Sequence, residues 1–308
     1  MQDNFENIND PIDLNVKELF TILWNKKILI ASVTLTFALI SVVYSLTLPN
    51  IYKSTALLAP ATSNDNLSSQ LSSYSSRAGL AGISVPSGEV TKSQEAIQRM
   101  RSFEFFSKFF LPNIQLENLL AVKEWLPEQN TILYNEKKFN SKESRWVRKV
   151  NYPLKVIPSD QEAFKKYLKF VNISEDKKTS FVSVSVKHQS PFISKKWVEI
   201  IVLNINESMR DEDKRVAQNS INYLSESSKT TNFQSVRDAM SNLLENQLQT
   251  LMLASSNDDY VYKIIDSPIV AEQKIEPSRA VICILGTFLG FIFGILVVLF
   301  LHMRRSLK

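Results

Sequence analysis

Two runs along the chain hold no charged side chain: Ile28–Leu48 (ILIASVTLTFALISVVYSLTL) and Val281–Leu301 (VICILGTFLGFIFGILVVLFL). Each is as long as a bilayer core requires, roughly 20 residues. A helix that is apolar on every side has no polar face to turn to water, so both runs are predicted to span a membrane. The first is too long for the apolar stretch of a cleaved signal peptide, and it runs on into Leu48-Pro-Asn-Ile-Tyr-Lys-Ser54 instead of a cleavage site built of small residues.

Between the two runs the pattern alternates between strand and helix periods. Ile51–Leu58 is short, apolar-rich and stopped by Pro60, as a strand is, and Ser180–Lys187 alternates strictly, which predicts a strand with one buried face. Tyr260–Ile265 is a third strand, placed so that the strands at the two ends of the segment can pair. Ser93–Leu111 reads as one amphipathic helix, with apolar residues at 96, 97, 100, 103 and 106 and Pro112 after it. Its phenylalanines at helical spacing are assigned to a core. A polar helix is predicted near Asp160–Phe170, after a weakly patterned stretch bearing Trp125 and Trp146.

Ser190-Pro191 opens a long helix whose face follows Phe192, Ile193, Trp197, Ile201, Ile205 and Met209 and continues through Val216, Ile221 and Leu224. After a Ser/Thr-rich break, a second helix runs through Phe233, Val236, Met240, Leu243, Leu244, Leu248 and Leu251. The pair, about 190–256, would form a rod of about 90 Å if nearly collinear. Ala61–Val90, dense in Ser, reads as a mobile loop with a small anchored turn. Ile12 to Trp24 follows a helical spacing into the first span, with Trp24 at the interface.

Charge then orients the chain. Lys26 and Lys27 precede the first span and Arg304, Arg305 and Lys308 follow the second, so both termini are predicted cytoplasmic. The long segment between them faces the periplasm, since loop charge sets orientation only for short loops. The resulting division is a 1–27 cytoplasmic tail, a 28–48 span, a 49–279 periplasmic domain, a 280–302 span and a 303–308 cytoplasmic tail. The fold class is thus a membrane protein in which two transmembrane helices flank an α/β (α+β) periplasmic domain, with a membrane-proximal sheet and a long helical protrusion. Cys283 is the only cysteine and lies in the second span, so the exported domain holds together without disulfides.

Composition removes several chemistries. The pI near 9.1 is not matched by a basic run with interleaved aromatics, and export takes the domain away from nucleic acid. The only histidines, His188 and His302, stand at a strand end and at the membrane border, which leaves no His-based metal site or catalytic triad. Gly82-Ile-Ser-Val-Pro86 falls short of a nucleophile elbow, and Asp211-Glu-Asp213 reads as a solvated helix face. No Gly-x4-Gly-Lys-Ser/Thr loop occurs, and only seven residues follow Leu301, so a fused cytoplasmic kinase is not expected. No enzyme activity and no cofactor are expected. Gly286, Gly290 and Gly294 recur every fourth residue on one face of the second span, the spacing that lets membrane helices approach closely.

The two ends of the chain resemble the Wzz family of polysaccharide chain-length determinants, also called polysaccharide co-polymerases. At the N-terminus the resemblance rests on Ile12-Asp-Leu14, Glu18-Leu19, Leu23-Trp24, Pro49, Tyr52 and Ala56-Leu-Leu-Ala-Pro60. At the C-terminus it rests on Asp266-Ser-Pro268, Pro277-Ser-Arg279 and a glycine-bearing span. Ala271 and Lys274 stand roughly where the family carries further prolines, which leaves fewer backbone φ angles fixed there. The resemblance implies a bacterial inner-membrane protein assembled as a homo-oligomeric ring or cage. It also implies a non-catalytic task, control of the chain length that a membrane polysaccharide polymerase gives a lipid-linked, O-antigen-like glycan of the lipopolysaccharide type. The partners so implied are copies of the chain, the polymerase, the glycan and membrane lipid. The alternative reading is an export or kinase-adaptor co-polymerase for capsule or exopolysaccharide.

Overall fold

The computed structural model describes residues 22–61, 91–231, 233–256 and 259–306, which form two compact units, Met1–Asn50 with Ile275–Lys308, and Ile51–Lys274. Of the helical run read from Ile12, residues 22–25 are described and are helical. The loop expected over 61–90 lies, past Ala61, outside the described residues.

In the first unit, helix α1 (Lys27–Thr47) packs against a long helix near the C-terminus, Arg279–Ser306. Both pass for membrane-crossing helices, with mean hydropathies of 2.2 and 2.8. Only 11% and 17% of their apolar windows are buried, so neither is the core helix of a soluble fold. Their hydroxyls are satisfied within the helix: Thr34 Oγ1 donates to the Ile30 carbonyl at 2.8 Å and Thr287 Oγ1 to that of Cys283 at 2.8 Å. That is how such side chains enter an apolar medium without an open hydrogen-bond group.

The second unit is built on an antiparallel sheet of β1 (Tyr52–Pro60), β6 (Val171–Glu175), β7 (Val182–His188) and β8 (Tyr262–Asp266), in the order β6-β7-β1-β8. The strands expected from alternation are all present, and the first and last pair as neighbours, with Leu58 opposite Ile264. In β7, Val182, Val184, Val186 and His188 share one face and are buried. Helix α5 (Pro191–Thr230) lies on β1 and β7 with Trp197, Val198, Ile201, Val202, Ile205 and Met209 buried. Its start is fixed by Ser190, whose side chain accepts from the Ile193 N–H, and by Pro191 at the first position.

The single helix expected over Ser93–Leu111 is interrupted. Helix α2 (Lys92–Met100) is capped by Thr91 and stops at Arg101. Ser102 then caps a new turn, Phe103–Phe105, by accepting from the Phe105 N–H, and this turn runs into a five-residue π-helix, Phe106–Phe110. The break resets the phase of the apolar stripe. Phe105, Phe106 and Phe110 go to the core, while Phe103, which the uninterrupted period placed inside, is 42% exposed. Phe106 and Phe110 meet Tyr167 of α4 (Asp160–Phe170) at 5.2 and 4.8 Å, and Phe110 meets Trp197 edge-on at 5.6 Å.

The weakly patterned stretch holds α3 (Leu116–Leu120) and two small hairpins, β2 (Val122–Leu126) with β3 (Thr131–Tyr134) and β4 (Phe139–Asn140) with β5 (Arg145–Trp146). Trp125 packs edge-on against Tyr52 at 5.5 Å. The rod of two collinear helices is corrected. Thr231 leaves α5 with extended backbone (φ −85°, ψ 125°), and α6 (Gln234–Ser256) folds back along α5. Asn219, Ser220, Tyr223 and Leu224 therefore face Leu243 and Gln247. The two helices cover each other's apolar stripes only in part: Ile221, Leu224, Met240, Leu244 and Leu251 are half-buried, while Val216, Phe233, Val236, Leu243 and Leu248 stay exposed. The C-terminal helix, Arg279–Ser306, is α7.

Candidate functional site

The glycines of α7 face α1. A methyl group added at Gly286 would overlap Ser41 Cβ, at Gly290 it would stand 2.5 Å from Phe37 Cβ, and at Gly294 3.3 Å from Ile30 Cα. The order of these contacts makes the helices antiparallel, so the Lys26 and Lys27 end of one meets the Arg304 end of the other. At the opposite end, Arg279 donates to Asn50 Oδ1 at 3.3 Å. Pro49 is exposed there, and Pro277 is half-buried. In the second unit Tyr52 opens β1 and Pro268 is buried after β8. The structure thus places Pro49, Tyr52, Pro268, Pro277 and Arg279 at the ends of the long helices and of the sheet, in two separate units, and the three glycines along the contact of α1 with α7.

A different set of residues holds the helical hairpin to its base. Asn206 is buried on α5, where Oδ1 accepts from the N–H groups of Val261 (3.0 Å) and Tyr262 (2.9 Å) and Nδ2 donates to the Tyr262 carbonyl (2.8 Å). Two turns further on, Asp213 accepts from Lys92 Nζ at 2.6 Å and from Tyr260 OH at 2.5 Å, and Lys92 also donates to Tyr260 OH at 2.9 Å. Burial pulls the Lys92 ammonium down, but its bonds to Asp213 and Tyr260 outweigh that, and the net shift is upward. Burial and then the bond to Asp213 push the Tyr260 phenol up. Lys92 is accordingly an ammonium and Tyr260 a neutral phenol at neutral pH.

Beside this cluster lies a polar groove of about 750 Å³. One wall is α2 and the π-turn, with Glu95, Gln98, Arg99, Lys108 and Phe109. The other is α5, with Ser208, Asp211, Glu212 and Arg215. Its cations are paired: Arg99 with Glu95 at 3.0 Å, Lys108 with Glu104 at 2.7 Å, and Arg215 with Glu212 at 2.5 Å. The Arg215 guanidinium holds the Glu212 carboxyl below its usual range, helped across the groove by Arg99 and Lys108. Lys108 does the same for Glu104. Reading Asp211 to Asp213 as a solvated face missed the role of Asp213, because Lys92 and Tyr260 lie 121 and 47 residues away and no local spacing announces them. Among the described residues no cluster of three or more His, Cys, Asp or Glu is arranged to hold a metal.

The family described as "Wzz: Chain length determinant protein" matches residues 12–110, and "GNVR: G-rich domain on putative tyrosine kinase" matches residues 230–303. No curated protein matches the chain. Among solved structures, a full-length bacterial polysaccharide co-polymerase is similar at 14% identity, covering 96% of this chain and 99% of that one, with a TM-score of 0.40. A fragment of WzzB, a polysaccharide co-polymerase from Salmonella Typhimurium, is similar at 14% identity, covering 74% of this chain and 100% of that one, with a TM-score of 0.27. Residues 12–110 thus match the Wzz chain length determinant family and residues 230–303 the GNVR domain, and each match takes in all or most of an apolar helix of membrane-crossing length.

Proposed function

We propose that this protein is a non-catalytic regulator that sets the chain length of a surface polysaccharide of the O-antigen type. It acts as a homo-oligomer beside a membrane polymerase working on a lipid-linked glycan. The observation that carries the reading is the chain length determinant match over residues 12–110, which takes in the first apolar helix and β1. The antiparallel packing of α1 and α7 supports a two-span topology in which both termini share one side and the segment between the spans lies on the other. Lys26, Lys27 and Arg304 at one end of the helix pair favour the cytoplasm for that end, which gives the periplasm to the 49–279 domain.

The GNVR match favours a second reading, an export or kinase-adaptor co-polymerase for capsule or exopolysaccharide. Deleting the gene and resolving surface polysaccharide by size separates the two. Length control predicts that a modal cluster collapses to a short-weighted ladder and returns on complementation. Loss of all polymer supports the adaptor. An unchanged distribution, in a strain without a second length regulator, overturns the length-control reading.

A further inference from the structure

Two polar helix stripes face one another across the groove between α2 and α5. Glu95, Gln98 and Arg99 recur at helical spacing on one wall, and Ser208, Asp211, Glu212 and Arg215 on the other. Facing helix stripes are normally apolar and closed, with the charged sides turned out to solvent. Here the apolar contact lies beneath, in buried Ile97, Met100, Ile205 and Met209, and the polar stripes above it enclose a cleft.

The π-helix of Phe106–Phe110 borders the same cleft. Its closing bond, Leu111 N–H to the Phe106 carbonyl, spans one residue more than an α-turn. Such turns are rare and recur at functional sites. This one sends Phe106 and Phe110 to the core and leaves Lys108 and the half-buried Phe109 on the groove wall.

The electrostatics select the ligand class. Asp211 stands outside these pairs, with Arg210 at 4.0 Å, but Arg99, Lys108 and Arg215 each have an acid within 3.0 Å, so an anion would have to break an existing pair to bind. An uncharged hydroxyl-rich chain would not. Each hydroxyl donates to a carboxylate oxygen and accepts from a guanidinium or ammonium, and the pairs stay intact. Phe109 adds an apolar patch for the C–H face of a sugar ring, and the volume suits a short oligosaccharide.

We propose that this groove binds an uncharged segment of the growing glycan. The proposal rests on the length-control reading and assigns it a contact site. The test uses the full chain in lipid nanodiscs, titrated with delipidated, size-fractionated oligosaccharides from the producing strain's own polysaccharide, and read by calorimetry and saturation-transfer NMR. The expected result is saturable binding that weakens about tenfold when a pair is removed whole, in Glu212→Ala/Arg215→Ala or Glu95→Ala/Arg99→Ala. Binding should hold in Glu226→Ala/Lys229→Ala, an exposed pair further along α5. Thermal unfolding of each variant checks that it is folded. No saturable binding by the unmodified chain, or equal binding by folded groove variants, overturns the proposal. Such a failure leaves length control standing if gene deletion erases the modal cluster, whereas groove binding with a length distribution indifferent to the gene overturns length control alone.

Discussion

Asn206 does more for the fold than its residue type suggests. It supplies partners to three backbone groups of the segment that returns from the hairpin to β8, all within 3.0 Å. Removing it strands two buried N–H groups and a carbonyl, each costing roughly 1–3 kcal/mol. Asn206→Ala is therefore expected to destabilise the chain by about 3 kcal/mol or more in urea unfolding. Asn204→Ala, which loses only a bond to the carbonyl one turn back, should cost about 1 kcal/mol or less. Equal losses would contradict this account.

His188 carries a pH dependence. Its Nδ1 accepts from the Ser190 N–H, so Nε2 holds the proton and donates to the Asn118 carbonyl at 2.9 Å. Burial lowers its pKa to about 4, below the usual value of 6.5. The unfolded chain then binds a proton at a higher pH than the folded one does. Stability is full above pH about 6.5 and is lost as pH falls towards 4, by up to roughly 3 kcal/mol. Unfolding midpoints measured across that window should fall in the parent and flatten in His188→Gln, and a slope unchanged by the substitution would show that other groups cause it.

At the scale of elements, the contact between α1 and α7 is open to direct test. In a Cys283→Ser background, Ile30→Cys with Gly294→Cys places two thiols where a Cβ added at Gly294 would stand 3.3 Å from Ile30 Cα. Oxidation should produce a compact monomer on a non-reducing gel, and a cross-linked dimer alone would mean that the glycine face serves a neighbouring copy.

Much at this scale could be read from the chain, for definite reasons. The two apolar runs and the alternation in β7 are long and strictly periodic, and periodicity is what burial writes into sequence. Helix 93–111 was misread because Ser102 restarts the helix and the π-turn adds a residue, so a constant period of 3.6 drifts off the true face. The hairpins at 122–146 lacked a clean alternation, since in β2 and β3 no residue is fully buried. The groove and the Lys92–Asp213–Tyr260 cluster had no signature at all. Their residues are ordinary surface types that become a site only when α2 and the segment around Tyr260 are laid against α5.

At the scale of the whole molecule, the hairpin of α5 and α6 is the feature that the proposed length control makes most use of. The base of α5 is buried on the sheet, while past Ala217 no side chain of it is fully buried, so the outer part is free to meet other molecules. Asn206 and the cluster around Asp213 fix where that outer part begins.

The account is tested most directly by the size distribution of surface polysaccharide in a deletion strain complemented either by the full chain or by one in which Leu224–Leu243 is replaced by a short glycine-rich loop. Leu224 and Leu243 face one another, so the cut shortens the hairpin without disturbing its base. The expected result is that the full chain restores the parental modal cluster, while the shortened chain, present in the membrane at equal amount, supports polymer with the cluster displaced or lost. A modal cluster identical for both chains, or one that persists with neither, would contradict length control by this protein.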